Sequence, residues 1–433
     1  MLKSVNVRNF KSYRDATLPL SELTVLIGAN ASGKSNLIEA LQVLSWLAHG
    51  RRLGDLLHAV NERELSVRGA AAEWAHQGAA SFALGCELDD QGGQLSFRTE
   101  IRTEETGWRI HDEELADPLG WSWFPLYRVQ ARWAPSTLSV AYNNFARGGR
   151  KPQISCIDQQ AVFTQLTSPA PFRDRESQKV SPAAAARLQG ALENVLVLDP
   201  IPQKMRAYSF EVEKRLHGDG STLSSVVFDL CDRQKRADEL LAFVRSLPEQ
   251  DIAGVGFLHG PRREVMLSLE ETFGSHHQRF EAARLSDGTL RVLAVAAALL
   301  SVPEGALVVI EEIDNGVHPP RARHLLEQIQ RVARTRRLRV LLTTHNPALL
   351  DAIPDEAVPN LVACYRDPHS GDSRLVRLED LPDYPQLVAQ GRIGRLVTSG
   401  VVDRFLKHRP AVGEYQRRWR EVLSGIEEED KAS

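Results

Sequence analysis

The sequence predicts an α/β fold: a mixed sheet flanked by helices, beside an antiparallel β layer, with an inserted, partly helical subdomain. Three observations predict it. An apolar strand, Leu23–Ile27, runs through a Gly-rich loop into the helical spacing of Lys34–Leu47. Leu307–Ile310 is a second apolar strand, and it ends in two carboxylates. Between them, from about residue 64 to 111, polar and apolar side chains alternate in segments separated by turn residues, the period of a half-buried antiparallel sheet.

The strand–loop–helix comes first along the chain. Its loop, GANASGKS at Gly28–Ser35, fits phosphate binding part by part. The glycines let successive N–H groups converge on phosphate oxygens, and the helix that follows adds its positive end. Lys34 is expected to reach the β- and γ-phosphates, and the Ser35 hydroxyl to hold Mg²⁺. Asn30, Ser32, Gly33 and Asn36 complete the predicted ATP-binding set with Gly28.

The second strand delivers Glu311 and Glu312 at its C-terminal end, where open α/β sheets place ligands. Glu311 is the expected Mg²⁺ ligand, directly or through water, and Glu312 the group that polarises the attacking water. LSDGT at Leu285–Thr289 opens an apolar helix, so a hydroxyl and free N–H groups face outward at its start. Ser286 precedes Glu311 by 25 residues, the length of one helix plus one strand. His345 ends the apolar strand VLLTTH and follows Glu312 by 33 residues, again one helix and one strand.

In order and spacing these four elements resemble ABC-type ATPases. NFKSY (Asn9–Tyr13) resembles the opening of RecF and SMC heads, and IEEIDNGVHP (Ile310–Pro319), THNPALLDA and VLDPIPQKMR resemble the RecF/SMC/OLD-like branch. The resemblance covers about 1–45 and 190–355. It implies an ABC-type P-loop ATPase head that needs ATP and Mg²⁺, and a head-to-head homodimer in which Ser286 and Gly288 act on the nucleotide held by the other chain's Lys34. It also implies that His345 contacts the γ-phosphate and that Asp314–His318 lies at the seam. Gln159 or Gln160 is the candidate metal-sensing glutamine, an exposed pair being the plain alternative. Lys11 is either near the phosphates or an ordinary surface lysine. Glu311 where relatives carry Asp, and Asp287 where many carry Gly, depart from the pattern without removing a functional group.

Four segments are expected: an N-terminal ATPase lobe (1–111), an inserted, mainly helical or irregular subdomain (112–255), a C-terminal lobe (256–355), and an extension with short helices (356–433). With 42% hydrophobic and 25% charged residues, the composition is that of an ordinary globular protein. The net charge of -3 gives no global attraction to nucleic acid, so DNA contact would need a local patch. RGGRK (Arg147–Lys151) is the better candidate, since RTRRLR (Arg334–Arg339) suits a helix C-terminus. Four scattered cysteines suggest neither zinc nor disulfides. A secretory h-region and a bilayer-length apolar run are both missing, which predicts a cytoplasmic protein without membrane contact.

The interval of 277 positions from Lys34 to Glu311 lacks heptads, which argues against a long coiled-coil arm. The 88 residues after His345 contain no DxD pair and are too few for a TOPRIM nuclease domain, so no nuclease activity is expected here. His276 and His277 lack the partner spacing of a metal-dependent nuclease. The expected function is therefore an ATPase that regulates a separately encoded effector, a nuclease, in antiphage defence or DNA surveillance. The alternatives are a RecF-like DNA-repair clamp and, disfavoured by NFKSY and the long insertion, a transporter's nucleotide-binding subunit.

Overall fold

The computed structural model describes residues 1–61, 67–69, 73–90, 93–104, 107–118, 123–245, 251–274, 276–313, 319–381, 384–385 and 391–407. Its central sheet has the order β10 (Val195–Leu198), β15 (Leu307–Ile310), β16 (Arg339–Thr344), β3 (Leu23–Ile27), β17 (Leu361–Arg366), β18 (Ser373–Arg377). The first five strands are parallel, and β18 is antiparallel to β17.

Successive residues of these strands enter two different cores. Leu23, Val25, Ile27, Val308, Ile310, Val340 and Leu342 pack on one face. Leu26, Leu307, Val309, Leu341 and Val362 pack on the other. A parallel sheet covered on both sides requires unbroken apolar runs, which is why LTVLI and LVVI carry no polar alternation.

The second face is covered by α1 (Lys34–Ala48), α4 (Arg175–Glu193) and an eight-stranded antiparallel sheet. That sheet runs β2 (Tyr13–Pro19), β1 (Leu2–Phe10), β4 (Ser81–Asp90), β5 (Gly93–Glu104), β6 (Gly107–Ala116), β7 (Tyr127–Ala134), β8 (Thr137–Tyr142), β9 (Gln153–Ile157). The short α2 (Leu56–Asn61) and α3 (Val162–Gln165) lie beside it. The segment from 112 to 180 differs from expectation here. β6 runs through the boundary drawn at residue 111, and β7–β9 extend the β layer to Ile157, so the helical insertion begins only afterwards. Register shifts at Val129/Ala131 and Arg132/Ala134 break the alternation that would have revealed β7.

The first face is covered by α5 (Pro202–Met205), α6 (Leu223–Phe228), α7 (Ala237–Val244), α8 (Asp287–Ser301) and α9 (Pro319–Thr335). A small sheet of β11 (Ser209–Phe210), β12 (Ile252–His259), β13 (Glu264–Phe273) and β14 (His276–Glu281) packs there too. The C-terminal carbonyls of α8 receive two guanidinium groups: Arg236 donates to Leu300 O at 2.7 Å and Arg336 to Val302 O at 2.7 Å. RTRRLR thus closes α9 and also caps α8. The chain after residue 356 supplies β17 and β18 in addition to the short helices expected there. Three short helices, α10 (Pro347–Leu350), α11 (Ile393–Thr398) and α12 (Val401–Lys407), complete the described fold. Among the described residues no helix is long and apolar enough to cross a membrane.

Candidate active site

Because β10, β15, β16 and β3 are parallel and in register, the residues that follow them emerge at one edge of the sheet. Asp199, Glu311–Glu312, His345 and the phosphate loop all leave from that edge.

The loop is built by backbone conformations that side chains disfavour. Gly28 has φ 155 and Gly33 φ 121; a Cβ on Gly28 would lie 2.2 Å from the Cys364 carbonyl oxygen, and one on Gly33 2.3 Å from Ser373 Oγ. The loop carbonyls are held from behind. Ser373 Oγ donates to Ser32 O at 2.6 Å, the Tyr13 hydroxyl to Gly33 O at 3.1 Å, and Arg366 Nε to Ala31 O at 3.2 Å. Asn36 Nδ2 donates to Ser12 Oγ at 2.7 Å, joining the first helical turn to the same network. Carbonyls fixed on one side leave the amide groups of the loop for a ligand on the other. Lys34 Nζ lies across the loop, 2.6 Å from Gly28 O and 3.1 Å from Ala29 O. Burial lowers its pKa, an effect the charges of Cys364 and Glu312 oppose.

Glu311 and Glu312 follow β15 as expected. Burial pushes the Glu311 carboxyl up to about 7, helped by Asp199, Glu312 and Glu39 and opposed by Arg68. Glu312 adopts φ 47, a left-handed conformation that costs a non-glycine residue on the order of 1 kcal/mol. It is held by the Thr343 hydroxyl, which accepts the Glu312 N–H at 3.0 Å. Clustered carboxylates whose charges oppose one another suit a divalent cation, which relieves the repulsion. Among the described residues no group of three or more His, Cys, Asp or Glu is placed to hold a metal ion by itself, so a cation here would need further ligands from a nucleotide or from water.

Asp199, Glu39 and Arg68 were not among the expected site residues. Asp199 ends the apolar strand VLVL much as Glu311 ends LVVI, and that parallel was legible. Glu39 is buried on α1, pairs with Lys11, and accepts Arg68 Nε at 2.8 Å. Lys11 is therefore bound to the phosphate-loop helix and lies over the Phe10 and Trp74 rings, at 5.9 and 5.8 Å from their centroids.

Ser286 is the N-cap of α8, accepting Thr289 N–H at 3.1 Å, and it is exposed with Asp287. Arg206 Nη2 fixes this loop by donating to Leu285 O at 2.9 Å and to Asp287 Oδ1 at 2.6 Å. Gly288 follows in the first turn. His345 stands exposed after β16. Gln159 lies two residues past β9, its side-chain amide donating to Trp108 O at 3.0 Å and its backbone carbonyl accepting Leu53 N–H at 2.8 Å. Gln160 donates to Gly50 O at 2.6 Å. These contacts tie the segment after α1 to the β layer, with no contact to the phosphate loop among the described residues. Asp314–His318 lies outside the described residues.

Residues 1–64 match the family described as "AAA ATPase domain", and residues 185–351 match "AAA domain, putative AbiEii toxin, Type IV TA system". The DNA replication and repair protein RecF of Trichodesmium erythraeum is 23% identical over 383 residues, covering 81% of this chain and 94% of that one. By these matches the chain is similar to ABC-type ATPase heads of the RecF/SMC-like branch. RecF of Gloeobacter violaceus is 44% identical over 69 residues, covering 16% of each chain, so the head is matched to only a fraction of that relative. The SMC head domain of Thermotoga maritima aligns with the head at a TM-score of 0.42 and 13% identity, over 87% of this chain and 98% of that one.

Proposed function

We propose that the head hydrolyses ATP within an ATP-sandwiched homodimer, and that head closure regulates a separately encoded effector, a nuclease, in bacterial antiphage defence or DNA surveillance. The observation that carries the catalytic part is Glu312. It is held in a left-handed conformation at the strand end, within electrostatic reach of Lys34. In this reading Gly28, Asn30, Ser32, Gly33, Lys34, Ser35 and Asn36 cradle the phosphates. Ser35 and Glu311 hold Mg²⁺, which when bound neutralises phosphate charge; Gln159, held beyond the far end of α1 against Trp108 and Leu53, is too remote to join them. Glu312 accepts the proton of the attacking water, and His345 touches the γ-phosphate. The exposed loop of Ser286 and Gly288, whose serine hydroxyl bonds only within its own helix start among the described residues, meets the nucleotide of the second copy.

The match to a domain described as that of a putative toxin in a type IV TA system supports a two-component setting. Phosphate release by the purified chain tests the reading: Lys34→Ala and Glu312→Gln should each lower the rate at least about 100-fold, and an unchanged rate in either overturns it. A tagged chain purified from its native host should retain the effector. The similarity across 94% of a RecF protein favours, as a second reading, a repair clamp in which closure grips duplex DNA. Duplex binding that ATP strengthens and salt weakens would support the clamp.

A further inference from the structure

We infer that the outward face of the β layer carries a second anion site, separate from the phosphate loop, which binds a phosphate group. A depression of about 710 Å³ lies over β7, β8 and β9, lined by Arg128, Gln130, Arg132, Ser139, Arg150 and Gln153 among others. Ser139, on β8 opposite Ala131 and Ser155, lines this depression. Its side chain is 6% exposed, and its buried hydroxyl has no hydrogen-bond partner. A buried hydroxyl left unpaired is destabilising, and a ligand oxygen would satisfy it.

The rest of the lining is rich in donors. Arg150 is exposed and forms no ion pair or side-chain hydrogen bond among the described residues. It follows two left-handed glycines, Gly148 at φ 76 and Gly149 at φ 79, which turn the chain back toward the sheet. Gln153 Nε2 donates to Gln130 Oε1 at 2.8 Å, leaving the Gln130 amide nitrogen to donate outward. Arg128 engages Glu114 through Nε and Nη2, which leaves its Nη1 for a ligand, whereas both terminal nitrogens of Arg132 are taken by Glu104, Asp158 and the Pro135 carbonyl. None of these carboxylates lines the depression.

The neighbouring depression of about 510 Å³ differs: Glu100, Glu104, Asp112 and Asp158 line it. Several other arginines serve the fold, Arg236 and Arg336 capping α8 and Arg334 pairing with Glu22 and Glu356. Lys151 is likewise spent on Asn144 Oδ1 and Ala146 O, both at 3.0 Å. Planar guanidinium forks with a hydroxyl at the floor match the tetrahedral oxygens of phosphate. Among the described residues that line the depression there is no aromatic ring, and the groups that do line it suit a phosphate.

The test uses the full-length chain with saturating Mg–ADP in the phosphate loop. Anisotropy of a fluorescein-labelled trinucleotide measures binding to a phosphodiester, and calorimetry with pyrophosphate measures binding to a free phosphate compound. Arg150→Ala should weaken the bound probe about tenfold and Ser139→Val about three- to tenfold, whereas Arg147→Ala, outside the depression, should change it less than about twofold. Pyrophosphate binding identifies a free phosphate ligand, and trinucleotide binding alone identifies a nucleic-acid strand; either supports the site. Equal losses at Arg147 and Arg150, no loss at Arg150 or Ser139, or no binding of either probe overturns it. The readout is the difference between variant and parent, so it stands whether or not the phosphate-loop reading does.

Discussion

Glu311 and Asp199 leave neighbouring parallel strands at the same sheet edge, and the charge of Asp199 is the largest after burial of the influences that lift the Glu311 carboxyl to about 7. A carboxyl raised to about 7 is partly protonated near neutral pH, and Mg²⁺ bound at the proposed site would displace that proton. Mg²⁺ affinity and ATP hydrolysis should therefore rise as pH increases through about 7, with proton release on Mg²⁺ binding. Asp199→Asn should move the midpoint to lower pH. A pH–rate profile unchanged by that substitution would break the link between the two residues.

A second raised carboxyl predicts a stability effect. Glu113 is fully buried under the β layer, and burial pushes it up to about 7 against the Tyr127 hydroxyl and the N–H groups of Phe163 and Val162. Thr99 and Cys156 also face it. The native state thus binds its proton more tightly than the unfolded chain. The contribution is present below pH 4.5 and is lost as pH rises through about 7. Glu113→Gln should gain on the parent by roughly 3 kcal/mol between pH 5 and pH 8 in denaturant unfolding. A constant difference across that range would contradict it.

Ser373 sits 341 residues from the Ser32 carbonyl it holds at 2.6 Å. Ser373→Ala should raise KM for ATP about three- to tenfold with kcat nearly unchanged, since the lost bond shapes the loop in the ground and transition states alike. A drop confined to kcat would show that the hairpin does something other than hold the loop.

Arg206 is the positioning residue for the Ser286 loop. Arg206→Ala should lower kcat about tenfold or more while leaving ATP binding by the monomer intact, and Arg206→Lys should restore little because one ammonium cannot bridge both acceptors. Equal nucleotide-affinity losses in the monomer would make the contact merely structural.

The phosphate loop and the LVVIEE strand were legible because each motif is contiguous and its strand is buried on both faces. The antiparallel β4–β6 were legible from the alternation of polar and apolar side chains. What escaped depends on distant partners or broken periodicity. β7 is bulged, and its neighbours carry Trp, Pro and Gly that mask alternation. Cys364 and Ser373 look like ordinary polar positions until β17 and β18 bring them beneath Gly28 and Gly33. The Lys11–Glu39–Arg68 cluster joins a turn, a helix and a loop that no local pattern connects.

The central claim is that Lys34 holds ATP for a site that Ser286 of a second copy completes. Light scattering on the Glu312→Gln chain with Mg–ATP tests it most directly. The 48.2 kDa chain should double in mass with ATP, and adding Ser286→Arg should return it to monomer with ATP still bound. A Glu312→Gln chain that stays monomeric with ATP bound, or a Ser286→Arg double variant that still dimerises, would contradict the account.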